Sequence, residues 1–267
     1  MPLLVCATPI GNLEDVTLRV LRELAEADIV LCEDTRRTRI LLDRHGIKAR
    51  LQSYHEHNEA ERTAQVLPRL EAGERIALTS DAGLPGVSDP GARLVSAALE
   101  AGVEVTVLPG PSAVETALVA SGLVGERFQF VGYLPRGEKA RAGLWEELAR
   151  WPHPVVAFES PRRLPASLAS LATAIPERPV AVCRELTKRF EEVIRGTAAE
   201  VAARITEPPK GEITLVLGEL EPVSGEEGDA LAAVAELVAA GAGRKHAADV
   251  VAKLTGLPRN RLYESSL

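Results

Sequence analysis

Short apolar runs alternate with amphipathic stretches along the first half of this chain. Residues 3–7, 28–32, 75–79 and 103–108 are apolar almost throughout and have the length of buried strands. Between them, 15–26, 36–45, 57–72, 89–101 and 112–121 carry apolar residues at helical spacing. In the first of these, Val16, Val20, Leu21 and Leu24 fall on one face. Strands that are apolar on both faces, separated by such helices, predict a mainly parallel sheet covered on both sides. The rhythm breaks at 121–127 and a second set follows. Strands are expected near 128–133, 154–158, 179–184 and 212–218, with helices near 140–150, 161–173 and 197–205. The pattern therefore predicts an α/β protein with two α/β domains, 1–122 and 123–220. The acidic, Gly- and Ser-bearing segment 219–230 reads as a linker within a third region, 221–267, that ends in three short helices.

The connections after three of the first-half strands are unusual. They run from Ala7 to Asn12, from Ser80 to Gly91 and from Pro109 to Ala113, and all are rich in Gly and Pro. In an open α/β sheet the loops at the carboxyl ends of the strands converge on one crevice, so three such loops mark a ligand site. The 80–91 loop is far longer than the 2–6 residues that ordinarily join a strand to a helix. Its Asp81 stands at a strand end, where a carboxylate can accept from a ribose hydroxyl or an ammonium group, and Asp89-Pro90 is placed to cap the next helix. Ser112 sits where it can cap a helix or lend that helix's N-terminus to an anion.

Composition narrows the class. The chain has 267 residues, 46% apolar and 26% charged, with a net charge of −7. That balance is ordinary for a soluble globular protein and excludes one that coats nucleic acid by overall charge, while leaving room for a local basic patch. No run of about 20 apolar residues suggests a membrane span. Asn12, Glu14 and Asp15 interrupt the first apolar stretch, unlike a secretory signal. Cys6, Cys32 and Cys183 lie in apolar runs without metal spacing, as expected of buried thiols in the cytoplasm. The His55-x-His57 pair lacks a plausible ligand set, so no metal is expected. There is no G-x-G-x-x-G after the first strand, no Walker loop, no G-x-S-x-G elbow and no H-E-x-x-H, which removes the commonest nucleotide-binding and hydrolase signatures.

Positive charge is segregated. Between Thr35 and Arg50 six basic residues (Arg36, Arg37, Arg39, Arg44, Lys48, Arg50) face one acid, Asp43. Arg136, Lys139 and Arg141 form a second cluster. From 221 to 240 there are five acidic residues and no basic ones, whereas 241–267 holds five basic (Arg244, Lys245, Lys253, Arg259, Arg261) against two acidic. Each cluster alone is equally well a solvated helix face; together on an acidic chain they suggest a nucleic-acid surface.

Thr8 to Leu13 with Asp15, Glu33-Asp34-Thr35-Arg36, His57-Asn58-Glu59, Ser80 to Gly83 with Asp89-Pro90-Gly91, and Pro109 to Ala113 form an ordered set. It continues through Phe158-Glu159-Ser160 with Arg162-Arg163, Arg184 to Lys188, Lys210-Gly211-Glu212 and the basic tail ending Leu262-Tyr263. Nearly end to end, this set resembles the tetrapyrrole methylase superfamily, the class III S-adenosylmethionine-dependent methyltransferases. Within it, the set is most similar to the ribosomal branch that 2′-O-methylates a cytidine in the decoding region of 16S (small-subunit) ribosomal RNA. One departure is visible: the 80–91 loop reads Leu84-Pro85-Gly86-Val87-Ser88 where such enzymes often have Thr-Pro and then bulkier residues.

The resemblance implies a cofactor, S-adenosylmethionine, folded into a cleft between two domains and held largely by backbone groups. It places Pro9, Ser80, Asp81, Ala82, Gly83, Leu84, Ser112 and Ala113 on one wall and Phe158, Arg184, Gly211 and Glu212 on the other. A base to activate the ribose hydroxyl would come from Glu33, Asp34, Glu159, Glu185 or Lys188, with no single one assigned; Glu33-Asp34 is equally well a helix cap with an acidic neighbour. RNA contacts would fall to Arg36, Arg37, Arg39, Arg136, Lys139, Arg244, Lys245 and Arg259, on a homodimer acting on a 30S particle. A tetrapyrrole methylase and a non-catalytic assembly factor that keeps the fold are the rival readings. A macrocyclic substrate would not need the basic tail, and an assembly factor would tolerate substitution of Asp81 or Ser112.

Overall fold

The computed structural model of the chain describes residues 2–220 and 227–266. The elements are, in order, β1 (Leu3–Cys6), α1 (Leu18–Glu26), β2 (Ile29–Cys32), α2 (Thr35–Arg44), β3 (Leu51–Ser53), α3 (Glu59–Glu71), β4 (Ile76–Thr79), α4 (Ala92–Glu100), β5 (Val105–Leu108) and α5 (Ala113–Ser121). They continue with β6 (Gln129–Tyr133), α6 (Glu138–Leu148), β7 (Val155–Glu159), α7 (Leu164–Ala174), β8 (Pro179–Arg184), β9 (Glu192–Thr197), α8 (Ala198–Arg204) and β10 (Ile213–Leu217). Last come α9 (Glu227–Ala239), α10 (Arg244–Thr255) and α11 (Arg259–Ser265). The protein is α/β, with two five-stranded sheets and a helical C-terminal part.

The first sheet runs β3-β2-β4-β1-β5 and is parallel throughout. Alternate strand residues point to opposite faces. Leu3, Val5, Ile29, Leu31, Ile76 and Leu78 pack under α3 and α4, against Val66, Leu70, Leu94 and Ala98. Leu4, Cys6, Val30 and Ala77 pack on the other side against Val20 and Leu24 of α1 and Leu42 of α2. The neighbouring strands β1 and β4 therefore send their helices to opposite faces. The switch in direction falls between them, at the strand ends where a crevice opens.

The second sheet, β6-β7-β10-β8-β9, is mixed: only β6 and β7 are parallel, and the other pairs are antiparallel. One face carries α6, α7 and α8 through Trp145, Leu148, Leu164, Leu168, Leu171 and Val201. The opposite face receives α5, whose Val114, Ala117 and Leu118 pack on Val156, Ala181 and Val216 together with Ile10 and Leu186. So α5, although it follows the first sheet, is bedded on the second, and this shared core joins the two halves.

Two strands have no counterpart in the sequence pattern. β3 is three half-buried residues at a sheet edge, too short for alternation to register. β9 reads Glu-Val-Ile-Arg-Gly-Thr, an edge strand with only half-buried apolar residues. Of the expected linker, 221–226 lie outside the described residues, and from 227 the chain is already helix α9. The C-terminal helices gather around their own cluster, Ala230, Val234, Ala247, Ala248, Val251 and Leu262. Among the described residues no helix is long and apolar enough to cross a membrane.

Candidate functional site

A cleft of about 700 Å³ opens between the ends of the two sheets, within the range of small-molecule sites. Its first wall is made of loops. Thr8 and Gly83 exchange backbone hydrogen bonds (2.8 and 3.0 Å), which staples the loop after β1 to the loop after β4. The Thr8 hydroxyl donates to the Ser80 carbonyl (3.0 Å), and the Ser80 hydroxyl turns back on the carbonyls of Ala82 and Gly83. Gly83 has φ +77, and a Cβ there would point at the Pro111 carbonyl, 3.7 Å away, across the gap to the third loop. At Gly110 a Cβ would lie 2.9 Å from that of Ala7, so only glycine allows the two loops to close up. Asp81, Ala82, Gly83, Leu84, Ser112 and Ala113 all line the cleft. Pro9 and Ser80 are buried behind this wall and shape it. Ser112 stands at the N-cap of α5, but its hydroxyl donates to Glu115 and accepts no helix N–H.

The second wall is made of side chains. Phe158 stacks edge-on with Phe130 (5.0 Å between centroids) and Tyr133 (5.5 Å), giving a continuous aromatic surface. Tyr133 remains 61% exposed at the mouth. Gly211 and Glu212 complete this side. Gly211 has φ +97, and a Cβ there would meet the Glu185 side chain at 2.4 Å. Glu185 and Thr187 themselves hold positive φ, 53° and 64°, in the turn between β8 and β9. That turn grips the first half of the molecule: the Asn12 N–H donates to the Thr187 hydroxyl (3.0 Å), and a Cβ on Gly11 would lie within 2.8 Å of Lys188, Thr187 and the Leu186 carbonyl.

The candidate bases separate by what already holds them. Asp34 caps α2, accepting from the Arg36 N–H (2.8 Å) and guanidinium, which hold its carboxyl well below the usual carboxylate range. Glu159 is sealed from solvent, with its carboxylate bound by the Ser160 N–H (2.6 Å), the Ser167 hydroxyl (2.6 Å) and Arg163 (2.5 Å). It is a fixed post of the wall. Lys188 bridges Glu185 (2.8 Å) and Glu212 (2.6 Å); burial works against its charge, but the two carboxylates outweigh it and raise its pKa. Glu185 is lowered by Lys188 and by the Glu212 N–H. Asp34, Glu185 and Lys188 do not line the cleft, whereas Glu33 and Glu159 do. Arg184 turns away, onto Glu192 (3.1 Å) and the Lys210 carbonyl (3.1 Å), because its place at the end of an antiparallel pair points it at β9.

Glu33, Asp81, Asp89 and Glu212 form an acidic lining in this cleft. Asp81 is paired with Arg37 (3.0 Å) and accepts the Asp34 N–H (3.0 Å). Burial, then the Asp81 charge, pushes the Glu33 carboxyl up. Asp89 is pushed up to about 7, first by burial and then by Glu33 and Asp81. The sequence pattern pointed to Asp89 only as a cap for α4. The structure corrects this: the N-cap is Gly91, without a side-chain cap bond, and the Gly91 N–H goes to Glu59 (3.3 Å). Phe130, Tyr133 and Asp89 are cleft residues that the sequence did not assign to the site. A signal for Asp89 was present in the loop's length and its second aspartate.

Of the basic residues, Arg37 reaches the cleft, and Arg36 and Arg39 are exposed on the same helix. Arg136 and Lys139 are exposed about the start of α6, but Arg141 is buried. Lys245 and Arg259 are exposed on α10 and α11; Arg244 is half-buried and donates to the Ser266 carbonyl.

The parallel sheet, the mixed sheet and the glycine-lined cleft between them are the architecture of the tetrapyrrole methylase fold. The family model described as tetrapyrrole (corrin/porphyrin) methylases matches residues 2–202. Among solved structures, a uroporphyrin-III C-methyltransferase from Thermus thermophilus complexed with S-adenosylhomocysteine superposes with a TM-score of 0.59 at 22% identity, covering 82% of this chain and 98% of that one. The methyltransferase CobJ gives 0.63 at 20% identity, covering 82% and 94%. The chain belongs to the tetrapyrrole methylase family, in the branch whose members carry the name ribosomal RNA small subunit methyltransferase I. It is 46% identical to that protein of Mesorhizobium japonicum over 264 residues, covering 98% of this chain and 90% of the relative. It is 44% identical to that of Thermotoga maritima over 220 residues, covering 82% and 99%.

Proposed function

We propose that this protein transfers a methyl group from S-adenosylmethionine to the 2′-oxygen of a cytidine ribose in the decoding region of small-subunit ribosomal RNA. The observation that carries this reading is the near full-length similarity to small subunit methyltransferase I relatives. The cleft suits the donor. Its aromatic and apolar lining accepts an adenine ring, its acidic lining favours a sulfonium cation, and its glycine loops let backbone groups approach closely. In this reading Asp81 to Leu84 and Ser112–Ala113 hold one side of the donor, and Phe158, Gly211 and Glu212 the other. Pro9 and Ser80 support the first wall from behind, and Arg184 acts only through the β8–β9 turn.

S-adenosylmethionine supplies an already activated methyl group, so the protein's work is alignment, exclusion of water and removal of one proton. The aromatic wall ends in exposed Tyr133, a surface on which a splayed-out base can stack. Arg37 lines the cleft, and Arg36 and Arg39 are exposed on the same helix, a set that suits the phosphates beside the target. Arg136, Lys139, Arg244, Lys245 and Arg259 extend that positive surface. The chain then divides into a loop-bearing domain (1–122), an aromatic-wall domain (123–220) and a basic helical module (221–267). It acts in the cytoplasm as a homodimer on the assembled 30S particle. The basic clusters favour RNA over a macrocyclic tetrapyrrole, which is the acceptor named for one of the fold neighbours.

Labelled S-adenosylmethionine, small subunits lacking their native modifications and nucleoside analysis test the reading. One new 2′-O-methylcytidine is the expected product. Label on a base, on a tetrapyrrole, or on nothing at all would contradict it.

A further inference from the structure

The acidic groups of the cleft are nearly all occupied. Glu159 is held by three donors, Asp81 by Arg37 and the Asp34 N–H, and Glu212 by Lys188. Glu33, Asp89 and Glu115 are left without an ion pair among the described residues; Glu115 accepts from the Ser112 hydroxyl, and Glu33 is still eased by Arg37 and by the Asp81 N–H. The groups facing Asp89 are Glu33 after β2, Asp81 and Ser80 after β4, Glu212 before β10 and Tyr133 on β6; the cation of the cleft lining, Arg37, is engaged by Asp81. Nor is Asp89 used as a helix cap. Pro90 has no N–H to offer it, and the next one, on Gly91, is spent on Glu59.

The loop also holds Asp89 in place. The Gly86 N–H donates to the Pro90 carbonyl (3.2 Å), closing a ring around residues 86–90, and Ser88 adopts φ 60°. A Cβ added to Gly132 of β6 would lie 3.8 Å from the Ser88 hydroxyl, so this loop crosses from the first sheet to the mouth of the second.

Resting on the methyl-transfer reading above, we propose that Asp89 is the catalytic base that takes the proton from the acceptor hydroxyl. The O–H bond breaks and its proton passes to an Asp89 carboxylate oxygen. The freed pair on oxygen forms the new O–CH3 bond, and the C–S bond breaks with its electrons staying on sulfur, which leaves as a neutral thioether. A carboxyl pushed up to about 7 is half ionised near neutral pH and a far stronger base than a free aspartate.

The test compares Asp89→Asn and Asp89→Glu with the unsubstituted protein in three readouts: single-turnover methyl transfer to under-modified small subunits, calorimetric binding of S-adenosylmethionine, and ¹³C NMR titration of labelled aspartate carboxyls. Asp89→Asn is expected to slow transfer about 10²–10³-fold, the range of general-base catalysis, while donor affinity falls by only about threefold, the loss of one of several acidic groups in the lining. It should also remove a resonance titrating near 7, and Asp89→Glu should restore part of the rate. Transfer within about threefold of the unsubstituted protein, loss of donor binding in step with the rate, or an Asp89 titration in the ordinary carboxylate range would overturn the assignment. Failure of the unsubstituted protein to methylate the subunit would instead strike the acceptor reading, and the NMR titration tells the two failures apart because it needs no acceptor.

Discussion

The two walls of the cleft are built on different physics. The first is backbone: loops at the ends of parallel strands, stapled by Thr8–Gly83 bonds and kept close by glycines where a Cβ would collide. The second is an aromatic surface on a mixed, largely antiparallel sheet that buried and half-buried charge braces from behind. At the end of the sheet away from the cleft, Arg178 is fully buried and donates to the carbonyls of Gly218 (3.0 Å), Leu148 (2.5 Å) and His153 (2.9 Å); at the cleft end Glu159 is bound by three donors and Lys188 bridges two carboxylates. Backbone walls depend on conformation, whereas charge walls depend on every partner being present, because an orphaned buried group is far costlier than a missing pair.

The sharpest way to break that contrast is to remove Arg178. Arg178→Met keeps much of the volume but leaves three carbonyls without a donor, and is expected to cost about 3–6 kcal/mol in urea unfolding. A loss under about 1 kcal/mol would mean the carbonyls find other partners. Glu159→Gln should cost less, about 2–3 kcal/mol, since an amide still accepts from one of the donors. Its transfer rate per folded molecule should stay within a few-fold, as fits a post that shapes the wall; a collapse in rate with stability intact would make Glu159 part of the chemistry.

The first wall yields a test with a pH sign. The folded Asp89 carboxyl binds its proton up to about 7, while the unfolded chain releases it near 4. The folded state therefore holds more protons between those limits, and the stability from this group falls as pH rises through that window. Asp89→Asn should leave the melting temperature unchanged below pH 4. Above pH 7 it should raise it by about 2–4 °C, allowing for partial solvent screening. An equal effect at both pH values would break the linkage. The smallest effect is expected from Asp34→Ala, which removes a cap from α2: a slight fall in melting temperature, with methyl transfer inside about threefold. A larger loss of rate would return Asp34 to the list of bases.

This contrast also explains what could be read from the chain. The three Gly/Pro loops were legible because their composition is their mechanism: Gly83, Gly91 and Gly110 stand where positive φ or close approach demands them. The strands β1, β2 and β4 were legible because they are apolar on both faces, and β5 because it closes a short, mostly apolar run. The second half was less so. β9 is an edge strand whose apolar residues are only half-buried, so it carries no clear alternation. The roles of Arg184, Glu185 and Lys188 depend on partners up to 27 residues away, which no local pattern displays. Asp89 was missed because the Asp-Pro pair reads as a cap, and only the Gly91–Glu59 bond reveals that the cap is not made.

The central claim is that the donor sits between these two walls with its reactive end toward Asp89 and Tyr133. A crystal structure with S-adenosylhomocysteine tests it most directly. The account predicts the adenosine and amino-acid parts between the Asp81–Leu84 and Ser112–Ala113 loops and the Phe158 and Gly211 side, with the sulfur facing the Asp89 mouth. The ligand elsewhere, or bound with its sulfur turned away from that acidic mouth, would contradict it.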